Sequence, residues 1–129
     1  MKPVDLKFKS IEVTTFDPRS ETVGLRIIIN DGKDKALVKT GKIEDPLRQA
    51  EGFISEIRTK IKDANKELCL DTDPLAGIIM VRVMPDEEEL LEKMSRFLAS
   101  IKERMRSART GKLSYLEIEK KIRGAKATF

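Results

Sequence analysis

Apolar and polar positions at the start of the chain alternate in steps of two. Val4, Leu6 and Phe8 stand between Asp5, Lys7 and Lys9, and Ile11, Val13 and Thr15 continue in the opposite phase. One pleated strand cannot bury both sets on one face unless an extra residue intervenes, so the pattern predicts a bulge or bend near Ser10. Phe16 to Ser20 reads as a turn, because Pro18 presets its own dihedral and Asp17 can bond back to the backbone. A second strand is predicted over Thr22 to Asn30, with Val23, Leu25, Ile27 and Ile29 on one side and Gly24, Arg26, Ile28 and Asn30 on the other. Asn30-Asp31-Gly32-Lys33 suits a hairpin, since Gly32 accepts a positive φ. A third strand follows from Lys35 to Ile43, weakened at Gly41 and closed by Glu44-Asp45-Pro46. Three strands joined by short turns make an antiparallel meander, its first two strands long enough to project past the third as a ribbon.

The period changes at Asp45. Leu47, Ala50, Ile54, Ile57, Ile61, Ala64 and Leu68 recur at steps of three and four, which lays one apolar stripe along a helix from Asp45 to Leu70. Asp45 can cap the first turn, and Pro46 fits the first helical position, where its missing N–H would have had no partner. Gly52 costs about 1 kcal/mol against alanine and would let another backbone come close. Glu51, Glu56, Arg58, Lys60 and Lys62 face water, so the helix reads as the lid of the sheet. Asp71-Thr72-Asp73-Pro74 ends it. Gly77 to Val83, broken only by Arg82, reads as a fourth strand covered on both faces or flanked on both edges. Set parallel to a neighbour, it makes the stretch from Ile43 to Gly77 a right-handed crossover.

Asp86, with Glu89 three residues on, opens a second long helix, and Glu87 and Glu88 match its positive end. Leu91, Met94, Leu98, Ile101, Met105 and Ala108 form its stripe, widened by Leu90 and Phe97; Thr110-Gly111 stops it, with Gly111 left-handed. Ser114 and Glu117 make a capping box, with Leu113 and Ile118 as its hydrophobic staple. They open a short helix carrying Tyr115, Ile118 and Ile122 and ended by Gly124. Ala125 to Phe129 is expected to fray unless Phe129 finds a pocket. Together these elements predict a single α+β domain over residues 1–129, a two-layer sandwich of order β-β-β-α-β-α-α. An antiparallel three-strand meander is extended by a fourth strand, with long amphipathic helices on one face. Residues 111–129 supply a short helix and tail that pack in cis or on a partner subunit.

Composition narrows the class. Of 129 residues, 40% are apolar and 37% charged, enough for a core beneath well-solvated helices. No run is apolar enough to span a membrane, and Met1 to Lys9 lacks the pattern of a secretory signal. Cys69 is alone, which fits a reducing, cytoplasmic setting. The chain has no histidine, hence neither the commonest general base nor the commonest neutral metal ligand. Cys69 lies between Leu68 and Leu70 and reads as structural. Asp71 and Asp73, even with Asp63 and Glu67, lack the remaining ligands and the glycine of a calcium loop. Glu87, Glu88 and Glu89 suit a helix dipole, and Gly111-Lys112 lacks the upstream glycines of a phosphate loop. A non-enzymatic protein with no cofactor and no bound metal is expected.

The net charge of +4 is unevenly spread: from Lys102 to Lys126, nine basic residues stand against three acidic ones. Lys102, Arg106 and Arg109 recur on one side of the second long helix, with Arg104 elsewhere around it. Lys112, Lys120, Lys121, Arg123 and Lys126 come close if the short helix folds back. Such a patch could neutralise phosphates without reading bases. Lys7, Lys9, Arg26, Lys35 and Lys39 would add a positive strand face, although five phenylalanines and one tyrosine offer little base stacking. The breadth of the second stripe gives the leading expectation, a protein-interaction or assembly module. It would self-associate, most simply as a dimer, through Leu90, Met94, Phe97, Ile101, Met105, Tyr115, Ile118 and Ile122. A nucleic-acid-binding accessory domain built on Lys102, Arg106, Arg109, Lys112, Lys120, Lys121 and Arg123 is the alternative.

Overall fold

The computed structural model describes residues 4–69, 81–84, 86–111 and 113–129, with the backbone alone at 4, 64–69, 81, 82 and 84. The elements follow as β1 (Val4–Asp17), β2 (Thr22–Asn30), β3 (Asp34–Gly41), α1 (Pro46–Cys69), β4 (Val81–Met84), α2 (Glu87–Thr110), α3 (Tyr115–Ile122) and β5 (Lys126–Thr128). This is the expected α+β sandwich, a meander sheet covered by helices, with one strand more than expected. The start of the predicted fourth strand, Gly77 to Met80, and the Asp71 to Pro74 loop lie outside the described residues.

β1 solves its phase conflict with two irregularities. The register to β2 shifts between Phe8 and Ser10 and again between Val13 and Thr15. Lys9 is the extra residue at the first shift and Thr14 at the second. Leu6, Phe8, Ile11, Val13 and Phe16 consequently all reach the core. The bulge near Ser10 was legible; the second one shows in the phase of Phe16, which alternation from Val13 would have placed outside. β2 has the predicted bounds and buries Val23, Leu25, Ile27 and Ile29.

The sheet order is β3-β2-β1-β4, with β3 and β2 antiparallel to their neighbours and β4 parallel to β1. β3 pairs with β2 from Val23 to Asn30, so no ribbon projects beyond the meander. Gly32 turns the β2–β3 hairpin at φ +122°. The tail does not fray. Residues 126–128 form β5, antiparallel to β1 at Ser10 to Glu12, and Phe129 packs against the core. β2 already occupies one edge of β1 there, so β4 and β5 share the other edge end to end.

α1 and α2 pack against each other over the inner face of the sheet. Ala50, Ile54, Ile57 and Ile61 carry the α1 stripe, whereas Leu47 is 51% exposed. The first turn lies outside the cover of the sheet and is tied to the preceding loop by Gln49, which donates to Lys42 O and accepts from Glu44 N. Among the described residues no atom lies within 4 Å of where a side chain on Gly52 would project, so none of them makes a tight contact there. On α2 the buried line is Leu90, Met94, Leu98, Ile101, Met105 and Ala108. Leu90 thus takes the place predicted for Leu91, which is half-buried. Asp86 caps the helix by accepting from Glu88 N at 3.1 Å. Gly111 is extended at φ −90°, not left-handed, because the chain leaves α2 directly towards α3. Ser114 caps α3 through Glu117 N, and Ile122 is fully buried. The side chains of Ala64 and Leu68, expected on this stripe, and of Cys69 lie outside the described residues.

Candidate polyanion-binding surface

Spacing of four and three along α2 places Lys102, Arg106 and Arg109 on one flank of its buried stripe. There the helix faces the loop that joins β3 to α1 and the turn that joins β1 to β2. The three cations meet Lys42 around a cleft of about 400 Å³, walled also by Glu21 and Glu44 and floored by Ile43 and Met105. Lys102 Nζ donates to the backbone oxygen of Glu44 at 2.5 Å, which holds its ammonium at the rim. Arg109 is ion-paired with Glu21, a residue at φ +56° in the β1–β2 turn. Arg106 has only a loose contact, 3.9 Å, with Glu103. Lys42 makes no ion pair among the described residues. Four cations against two carboxylates leave the cleft positive, and its two least engaged cations are Lys42 and Arg106.

The rest of the predicted patch is divided. Lys121 and Arg104 line a separate cleft of about 340 Å³ on the other flank of α2. Lys120 is exposed, Arg123 pairs with Glu119 at 3.6 Å, and Lys112 lies outside the described residues. Folding back α3 therefore does not bring its lysines to Lys102, because α3 packs against β1 and the opposite flank of α2. Lys42 was missed, since nothing in its own neighbourhood marks it; only the β3–α1 loop carries it to the helix.

The expected positive strand face is also reduced. Lys9 pairs with Asp34 at 3.0 Å, Lys35 with Asp31 at 2.9 Å and Lys39 with Glu56 at 2.6 Å. The hydrogen bond from Lys9, then that from Asn30, lowers the pKa of the Asp34 carboxyl below its ordinary value. Backbone donation from Arg19, followed by the Ser20 hydroxyl, likewise lowers Asp17 in the β1–β2 turn. Lys7 and Arg26 remain exposed on the open face.

Most residues named for self-association are spent inside this chain. Leu90, Met94, Ile101 and Ile122 are inaccessible and Met105 nearly so. Phe97 and Ile118 are half-buried against the core, and Tyr115 is exposed beneath the Arg19 guanidinium, 5.5 Å from the ring centroid. Among the acidic residues weighed for a metal, Glu87 pairs with Arg58 and Glu89 with Lys93. Among the described residues no cluster of three or more candidate ligands occurs. Nor is any helix among them long and apolar enough to cross a membrane. No protein family matches this chain, and comparison with curated proteins and with solved structures gives no significant match.

Proposed function

We propose that this protein binds the phosphate backbone of a nucleic acid through the Lys42–Lys102–Arg106–Arg109 cleft. The observation that carries the reading is the convergence of three α2 cations with one from a distant loop around a positive concavity. Phosphates are recognised by such point charges without base contacts. Phe8 and Phe16 are buried, and Phe53, Phe97 and Phe129 are half-buried, so the chain offers no row of aromatic rings on which bases could stack. Backbone contact is thus favoured over sequence readout.

Fluorescence anisotropy with a labelled DNA duplex, an RNA duplex and a single strand tests this. Binding is expected at low salt, with a slope of log K against log salt of about −3 to −4 on duplex DNA for four neutralised phosphates. Lys42→Glu and Arg106→Glu should each weaken it about tenfold, while Lys33→Glu in the β2–β3 hairpin leaves it unchanged. Absence of binding at low salt, or equal binding by the cleft variants, defeats the reading. Self-association retains a smaller footing than the sequence suggested, in the exposed pair Tyr115 and Leu116 at the start of α3.

A further inference from the structure

β5 leaves a pattern of backbone groups open. Val13 N donates to Ala125 O at 2.8 Å and Phe129 N to Lys9 O at 3.0 Å, with Ala127 opposite Ile11 between them. Bonding residues alternate along an antiparallel strand. Ala125 therefore turns its C=O to β1, its N–H donating instead to Ile122 O at 3.3 Å, Ala127 and Phe129 also turn to β1, and Lys126 and Thr128 turn their peptide groups to the outer edge. No strand among the described residues pairs with that edge.

α2 stands alongside it across a groove of about 460 Å³. Lys93, Arg96 and Arg104 on the helix and Lys126 on the strand line this groove, Phe97 supplies its apolar wall over the buried Ile101, and no carboxylate among the described residues lines it. Lys93 and Arg96 are paired along the helix with Glu89 and Glu92, exposed contacts that a ligand carboxylate displaces at little cost. Arg104 and Lys126 have no ion pair among the described residues; Glu12 is the register partner of Lys126 on β1, and no ion pair joins them.

We infer that this groove takes an extended acidic peptide segment of a partner protein, which adds as a strand to β5. The open N–H and C=O groups of Lys126 and Thr128 require a ligand that alternates donors and acceptors, as a peptide backbone does. The surrounding cations select acidic side chains on it. A second copy of this chain is a poor occupant, because pairing β5 with itself would bring both sets of Arg104 and Lys126 together. A nucleic acid matches the charge but not the backbone pattern. This site is separate from the Lys102 cleft and does not depend on it.

The test uses the full chain and a fluorescein-labelled peptide of alternating glutamate and valine. Three competitors accompany it: the lysine–valine peptide, the glutamate–valine peptide N-methylated at alternate amides, and oligo-dT. Binding of the glutamate–valine peptide, at least about tenfold loss on N-methylation, and slowed hydrogen exchange at the Lys126 and Thr128 amides are expected. Arg104→Glu and Lys126→Glu should each weaken the peptide about tenfold. The N-methylated peptide alters no residue of the protein, so its result stands even if a variant misfolds. Equal binding of the N-methylated peptide would reduce the site to a simple positive surface. Displacement by oligo-dT with no amide protection would assign it to nucleic acid. Failure of the peptide to bind would remove it. Each of these three results overturns the inference.

Discussion

Lys39 and Glu56 join the edge strand β3 to the helix above it. The Glu56 carboxylate accepts from Lys39 Nζ at 2.6 Å and lies 3.1 Å from Lys60 Nζ. The Lys39 hydrogen bond is the chief cause that lowers its pKa from the ordinary 4.5, with partial desolvation opposing and Lys60 assisting. A carboxylate whose folded pKa lies below its unfolded one contributes stability above the unfolded value, and that contribution is lost as pH falls through the folded value. Glu56→Gln should therefore cost about 0.5 kcal/mol at neutral pH, a figure already discounted for solvent screening of a half-exposed pair. The difference from the unsubstituted protein should vanish well below pH 4.5. Urea unfolding across that range measures it; a deficit that persists in acid would mean that the carboxylate contributes by packing alone. Residues 39 and 56 were placed on a strand and a helix by pattern, but their meeting depends on how α1 lies across the sheet. No local spacing carries that information.

The elements with the strongest period were readable almost to the residue. β2 and the cap of α2 stand where predicted, because alternation and an acidic residue before a helical stripe each reflect local backbone demands. β5 was not readable. Ala125, Ala127 and Phe129 alternate with Lys126 and Thr128, too short a run to mark a strand by itself, and the segment becomes one because β1 leaves its edge free from Ser10 to Glu12. Gly124 makes the entry possible: at φ +85° it leaves α3 and donates to Val13 O at 2.8 Å. Gly124→Ala should destabilise the protein by about 1 kcal/mol, since a Cβ is disfavoured in the left-handed region. Chemical denaturation is the direct check, with hydrogen exchange at Phe129, whose amide donates to Lys9 O, showing whether β5 loosens first. Unaltered stability would mean that the chain reaches β1 by another backbone path.

At the scale of the molecule, one core joins both long helices, α3 and the sheet, and it consumes the apolar surface that had suggested an assembly. Among the described residues, what remains exposed is scattered: Val38 on β3, Leu47 at the start of α1, and Tyr115 with Leu116. Stable interfaces need larger continuous contact than such isolated residues provide. Sedimentation equilibrium is accordingly expected to give a monomer through the micromolar range. A dimer lost on Leu116→Ser would instead place self-association on α3 and revive the first reading of the sequence. The chain by itself determined the type and order of its elements as far as α3, the bulge in β1 and the inward residues of β2, since each follows from side-chain period and local backbone chemistry. Tertiary structure alone decided that Leu90 is interior, that the C-terminal tail closes the edge of β1, and that Lys42 joins Lys102 and Arg106. Those outcomes depend on contacts between segments far apart in the chain, whose free energy belongs to the pair and is written in neither segment.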